Sequence, residues 1–542
     1  MSSSIVADGV GAQPQLHSPL LGRLAALELD NSPVIVALLL VLLVPVAASV
    51  LFRAKKGKRA PLMNPPGFFQ TKTQVKRNYL KNGLKIFNDA KRQYPGQPFK
   101  VIASAGTFTI LPSDRANEVK SIPPEKLNFR AQFSDICPID IAGFGALTML
   151  NHPRGIVQAV VTKRLTKRLA TVTSPLAQET KFAMSKVFGE NNDWAEVTIY
   201  PGLLDVVARV SSRIFLGPGL CRNLEWLDIT KNFASHLMMG MSGIRVFPKL
   251  LRPFAHLIDP TVREMRSRYF QAKVIVDGLV QQRAKERKEC LASGRPVPVY
   301  NDSIEWGEQE ADGAAFNPTD LQLLLSFAAI HTTSDLVTQT MLHLASEPES
   351  IEALRQEMID VLPVRGWKKT SLFQLKLLDS AVREAQRTKP LFLANMIRSV
   401  MEDVTLEDGT LLSKGELVAV DATNLWDAER YKNPEKFNIR RFLDIRQNEP
   451  GGEHRAQLVS SASDHITFGY GKYMCPGRFF AANEIKMILC FMIMNYDWKL
   501  APGTTLEPIY LGTDPMINHE AKLICRRREA EIDLASLQAE QE

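Results

Sequence analysis

Cysteine is scarce in this chain: among 542 residues there are six, Cys137, Cys221, Cys290, Cys475, Cys490 and Cys525. They are scattered and contain no C-x-x-C pair, which argues against a disulfide scaffold, a zinc ribbon or a thioredoxin-type redox site. Thiols left reduced place most of the chain on the cytosolic side. Charge of one sign is also lacking, since 66 Lys+Arg against 58 Asp+Glu leaves only +8. Without a basic stripe or a reading module, no nucleic-acid partner is expected. No internal repeat is visible, and 45% hydrophobic against 23% charged residues describes a globular protein, not a disordered or fibrous one.

Long uncharged runs are absent with one exception. Val34 to Phe52 reads VIVALLLVLLVPVAASVLF, nineteen residues without a charge. As a helix it would span roughly 28 Å, close to the thickness of a bilayer core. Arg53, Lys55, Lys56, Lys58 and Arg59 follow at once, whereas Asp8, Glu28 and Asp30 outweigh Arg23 upstream. The positive-inside tendency therefore puts the C-terminal side in the cytosol. A cleaved signal would begin with a basic region nearer the first residue, and a core helix would not need five cations at its exit. The expected plan is a lumenal segment over 1–33, a transmembrane anchor over 34–52, and a basic stop with a Pro-rich hinge over 53–67. A catalytic domain over 68–530 and a tail over 531–542 complete it.

The body reads as mainly α with a smaller β region. Alternation around Ala105-Gly106 predicts strands near Phe99–Ile102 and Phe108–Leu111, and the polar stretch Glu286–Gly313 reads as a surface loop. Pro153 to Ala170 carries Lys163, Arg164, Lys167 and Arg168 on a helical pattern, which fits a solvated face or a docking face. Asn317-Pro318-Thr319-Asp320 is a helix start: a capping side chain, proline at the first position and an acid in the first turn. The pattern that follows reaches Glu347, about 45 Å of helix, and is apolar nearly all round to Ile330.

The chemistry concentrates in Phe468–Ala481, FGYGKYMCPGRFFA. Gly469, Gly471 and Gly477 surround Cys475 and permit tight turns and close approach by a flat ligand. Pro476 suits the first position of a helix over Arg478–Asp497, so Cys475 lies at a helix N-terminus, where free N–H groups favour a thiolate. A thiolate is a fit ligand for haem iron. Taken whole, the segment resembles the haem-binding loop of the cytochrome P450 family, with Phe468, Gly471, Cys475 and Gly477 at the family spacing.

Other segments carry the same resemblance. Glu384 and Arg387 lie three apart on a helix over Leu372–Thr388 and share a face. Pro434-Glu435 and Phe437 through Arg441-Phe442 resemble the family segment whose arginine completes a Glu–Arg–Arg cluster, which makes Glu384, Arg387 and Arg441 a structural ion cluster. Ala328-Ala329-Ile330-His331-Thr332-Thr333 is similar to the family's oxygen-side segment. The resemblance implies that Thr332 faces bound dioxygen and helps deliver protons. His331 stands where an acid is usual, and either relays a proton or turns away as a hydrogen-bonded structural residue. Tyr473 replaces a basic residue near a haem propionate. Arg398 resembles the other propionate-binding arginine.

The resemblance thus implies a cytochrome P450 fold preceded by a single N-terminal transmembrane helix, and haem b on the Cys475 thiolate. The wording of AAIHTTSDL and GYGKYMCPGRFFA is similar to fungal secondary-metabolite members, among them ent-kaurene oxidase-like and terpenoid or meroterpenoid enzymes. The expected reaction is insertion of one oxygen atom from dioxygen into a hydrophobic small molecule. Electrons would come from NADPH through a membrane-bound NADPH–cytochrome P450 reductase that docks on Lys163, Arg164, Lys167, Arg168, Lys472 and Arg478. The expected location is the endoplasmic reticulum membrane, with lipid as a partner and the catalytic domain in the cytosol. An isomerase, dehydratase or ring-forming oxidase on the same haem, or a haem-binding sensor or inactive scaffold, is the competing reading.

Overall fold

The computed structural model describes residues 57–136, 141, 143–534 and 536–537. The expected lumenal segment, the anchor over Val34–Phe52, Cys137 and half of the C-terminal tail lie outside the described residues. Among the described residues no helix is long and apolar enough to cross a membrane. Arg59–Glu542 forms one compact unit.

A capping box opens helix α1 (Lys72–Gln93): the Gln74 amide donates to Thr71 Oγ1 at 3.3 Å and the Thr71 amide to Gln74 Oε1 at 2.8 Å. Strands β1 (Phe99–Ala103) and β2 (Gly106–Leu111) follow as an antiparallel hairpin. They join β3 (Leu127–Asn128), β4 (Ala394–Val400) and β5 (Leu417–Asp421) in a five-stranded sheet ordered β1-β2-β5-β4-β3. The Pro-rich hinge docks on this sheet, with the Lys100 amide donating to the Pro61 carbonyl at 2.7 Å and Asn64 bonded to Ile102.

Helices form the larger part. They include α2 (Leu169–Phe188), α3 (Ile199–Phe215), α4 (Leu224–Val246), α5 (Pro260–Ala292), α6 (Pro318–Ser346), α7 (Pro348–Arg365), α8 (Lys376–Thr388) and α9 (Arg478–Asn495). Asn317 caps α6 as its sequence requires, accepting from the Thr319 and Asp320 amides at 3.0 and 3.4 Å. Helix α6 packs on α3, α4, α8 and α9, so it is the central element of the main apolar core.

Three local expectations change. The polar stretch after Glu286 is not one loop: α5 runs to Ala292, and Ser303–Ala311 is a helix capped by Asp302. Its charges hold two helices together, since Arg283 pairs with Asp302, and Arg287 with Glu305 and Glu308. Pro476 is not the first helical residue, because Gly477 is the N-cap and α9 begins at Arg478. The helix expected from Leu372 is broken at Leu375. There the Glu357 carboxylate takes the Leu377 and Leu378 amides at 2.6 and 2.9 Å and supplies the cap that the local sequence lacks.

Candidate active site

The Cys475 loop is closed by its own backbone. The Cys475 amide donates to the Phe468 carbonyl at 2.8 Å, Met474 to Gly471 at 3.1 Å, and Gly469 to Ile466 at 2.8 Å. Gly471 has φ +76°, a conformation that favours glycine, and a Cβ there would lie 2.5 Å from Lys120 Cγ and push that side chain aside. Gly477 differs: its φ is −85°, and a Cβ would meet only Val161 at 3.9 Å. Among the described residues nothing demands glycine at that position, which leaves room for a flat group against the loop.

At Cys475, burial pushes the thiol up, against the opposing pull of the Gly477 and Arg478 amides and the Arg478 charge. The helix terminus therefore acts in the expected direction but is outweighed by burial. A thiolate half-buried in this loop calls for a cationic partner.

Arg398 is a buried cation in the complementary situation. It is 4% exposed, and its guanidinium donates to the adjacent Ile397 carbonyl at 2.8 Å. Among the described residues no carboxylate pairs with it. Its guanidinium carbon lies 4.6 Å from the Tyr473 ring centre and 5.5 Å from that of Phe129. Tyr473 thus meets the arginine through its ring face. Burial draws the guanidinium down from its ordinary value to about 10, so it stays charged at neutral pH. A haem propionate is the kind of anion this cation lacks.

Strand β4 is bent to bring Arg398 there. Its register shifts between Asn395 and Arg398, and Met396 sits at φ +55°, a costly conformation for a buried non-glycine residue. Asn395 holds the bend: its Oδ1 accepts from the Met396 amide at 2.7 Å, and its Nδ2 donates to the carbonyls of Ile466 and Thr467, just before Phe468. No sequence pattern singles Asn395 out, because its bonds join segments seventy residues apart.

Glu384, Arg387 and Arg441 meet in one buried cluster. Arg387 donates twice to the Glu384 carboxylate, at 2.8 and 2.9 Å, and Arg441 Nε donates to Glu384 Oε1 at 2.9 Å. The remaining guanidinium donors reach the carbonyls of Leu425, Pro434, Lys432, Asn433 and Lys436. The cluster thus ties α8 to the irregular chain over 425–441.

Midway along α6, Ala328 and Thr332 keep exposed surface one turn apart, although the helix is buried on both sides of them. That face is an opening in an otherwise buried stretch of helix. Thr332 Oγ1 donates to the Ala328 carbonyl at 2.8 Å, which leaves its lone pairs toward the opening. His331 points elsewhere. Its Nε2 donates to the Lys231 carbonyl at 2.9 Å, so its Nδ1 accepts from the Tyr200 hydroxyl at 3.0 Å. Burial, the largest influence, holds its imidazole below the ordinary range. Both nitrogens are committed to joining α3, α4 and α6.

The apolar segment Phe233–Phe247 splits: Met241 is buried, while Met238 and Met239 are 56% and 57% exposed. Of the cations expected at a docking face, Lys163 and Arg164 pair with Glu310, and Arg478 donates to the Val459 and Cys475 carbonyls. Lys167 and Lys472 are exposed, and Arg168 is half-buried.

The sequence profile of the family described as Cytochrome P450 matches residues 157–525. The chain is 39% identical over 484 residues to the cytochrome P450 monooxygenase hepE of Aspergillus oryzae, covering 88% of this chain and 87% of that protein. It is 36% identical to the cytochrome P450 monooxygenase TRI1 of Fusarium sporotrichioides, with 85% of each chain covered. It is 34% identical to the dihydromonacolin L monooxygenase LovA of Aspergillus terreus, covering 90% of this chain and 92% of that one. The retinoic acid-bound cyanobacterial CYP120A1 shares the fold at 18% identity, with a TM-score of 0.64 over 87% of this chain and all of that one. With the glycine-bounded cysteine loop and the buried ion cluster, these likenesses establish that the chain belongs to the cytochrome P450 family and is one of its monooxygenases.

Proposed function

We propose that this chain holds haem on the Cys475 thiolate and inserts one oxygen atom into a hydrophobic, terpenoid-like secondary-metabolite intermediate. The observation that carries the assignment is the pairing of unmet needs: a half-buried thiol in a loop with room for a flat group, and a buried arginine with no carboxylate among the described residues. Phe468, Gly471 and Gly477 shape the loop. Arg398, with Tyr473 beneath it, would take a propionate. Glu384, Arg387 and Arg441 hold the chain that supports the loop. Haem bound there supplies reductive activation of dioxygen, which consumes two electrons and two protons and sends one oxygen to product and one to water. Thr332 presents its hydroxyl to the side of α6 where dioxygen would lie. The Thr332 hydroxyl favours this reaction over an isomerisation or dehydration on the same haem, and product mass separates the two.

The test is the ferrous–CO difference spectrum of purified Cys475→Ser and Cys475→Ala. Both variants should lose the thiolate band; an unaltered Soret band in Cys475→Ala would refute the assignment.

Electrons are proposed to come from NADPH–cytochrome P450 reductase on the endoplasmic reticulum membrane. Lys167, Arg168 and Lys472 are the expected cations still available to dock it. Charge reversal at Lys167 and Arg168 should slow reductase-dependent NADPH oxidation by roughly tenfold at low salt, with less effect at high salt. An equal rate at low salt would remove these residues from the docking face.

A further inference from the structure

The carbonyls that lead into the cysteine loop are all taken. Ile466 accepts from the Gly469 amide and from Asn395 Nδ2, each at 2.8 Å, and Thr467 accepts from Asn395 Nδ2 at 3.1 Å. Phe468 accepts from the Cys475 amide at 2.8 Å, and Gly469 accepts from Ser461 Oγ. Four consecutive carbonyls thus have donors, so none of these peptides turns without breaking a bond.

A second element grips the same stretch through a side chain. Thr467 Oγ1 donates to Gln386 Oε1 at 2.8 Å. Gln386 stands on α8 beside Arg387 and is 8% exposed. His465 Nε2 lies 3.5 Å from the same oxygen, and burial, aided by the Arg383 and Arg387 charges, holds that imidazole well below its ordinary range and so neutral. Outside their own cluster, Glu384, Arg387 and Arg441 bond to the chain over 425–441. The hold of α8 on Thr467 therefore passes through Gln386, a residue with no part in the ion cluster.

We propose that Gln386 is a positioning residue for the Cys475 sulfur. From α8 it fixes Thr467, which Asn395 holds from β4, and the next carbonyl, that of Phe468, then keeps the Cys475 amide in place. The inference rests on the haem-thiolate reading and names a residue that keeps the ligand where that reading needs it. Gln386 acts through Thr467 and Phe468. Without its oxygen, the Thr467 hydroxyl loses its acceptor, the Phe468 peptide gains freedom, and the sulfur leaves its position more readily.

The experiment uses the full-length chain, purified with haem, as wild type, Gln386→Met, Thr467→Val, Thr467→Ser and the double variant Gln386→Met with Thr467→Val. Loss of the thiolate ferrous–CO band on mild warming is timed beside helix content from far-ultraviolet circular dichroism. Gln386→Met and Thr467→Val should each lose the band roughly tenfold faster, at temperatures where helix content holds, as expected when a buried polar group loses its partner. The double variant should be no faster than the faster single variant, because both changes remove one bond. Thr467→Ser keeps the hydroxyl and should match wild type. Wild-type rates in Gln386→Met and Thr467→Val, additive rates in the double variant, or band loss only in step with helix loss overturns this inference alone. A wild type without the thiolate band overturns the haem-thiolate reading and this inference with it.

Discussion

Arg398 is held in the interior by two aromatic rings and a neighbouring carbonyl, and none of these neutralises it. Burying a cation in this way is costly unless an anion arrives. Arg398→Gln keeps a hydrogen-bonding side chain but no charge. It should retain haem about tenfold less tightly, as expected for loss of a charge-assisted bond. Haem loss to an apo-globin acceptor measures this, and equal retention would remove Arg398 from the propionate role. Resemblance was enough to point to Arg398 in the sequence. Its missing counter-ion was not legible there, because a partner's absence depends on every segment folded around the residue. His331 teaches the same lesson in reverse: its replacement of an acid was visible, but the direction of its ring was decided by Tyr200 and the Lys231 carbonyl on other helices.

At the scale of elements, the hairpin formed by Ile509–Leu511 and Asp514–Met516 docks on α1. The Gly512 amide donates to the Leu80 carbonyl at 2.7 Å, and Tyr79 lies 3.3 Å from Thr513 Oγ1. Burial raises the Asp514 carboxyl there to about 6. Between roughly pH 4 and 6 the folded chain therefore binds a proton that the unfolded chain does not, and stability falls as pH rises through that window. Asp514→Asn should flatten this slope and raise the melting temperature at pH 7, as measured by thermal unfolding from pH 4 to 8. An unchanged slope would contradict the assigned burial. Helices with local start signals, such as α6 behind Asn317-Pro318, follow from sequence because cap and helix are adjacent. The break at Leu375 was hidden, since its cap comes from Glu357 on another helix.

On the whole molecule, Leu250, Leu251, Phe254, Leu257 and Ile258 are exposed in short consecutive helices, Leu250 at 89%. So large an apolar run is unusual on a surface facing only water. A lipid surface is one cover that such a face would fit, and this is open to a direct test. Replacing Leu250, Phe254 and Leu257 by Glu in a chain lacking residues 1–56 should reduce co-sedimentation with phosphatidylcholine vesicles several-fold and leave the ferrous–CO spectrum intact. Equal partitioning would show that this face does not meet lipid.

By itself the sequence determined what adjacent residues can encode: the cysteine loop, the E-x-x-R pair, the caps and the helical character of most of the chain. Short-range hydrogen bonds and turn conformations depend on neighbours along the chain, so their signals survive in one dimension. Only the folded structure decided that Asn395 clamps a strained strand to the cysteine loop, that Arg398 is left without a carboxylate, and that Ser211 on α3 bonds the buried Glu484 on α9. Those relations arise from burial and from partners distant in sequence, which exist only once the helices have packed.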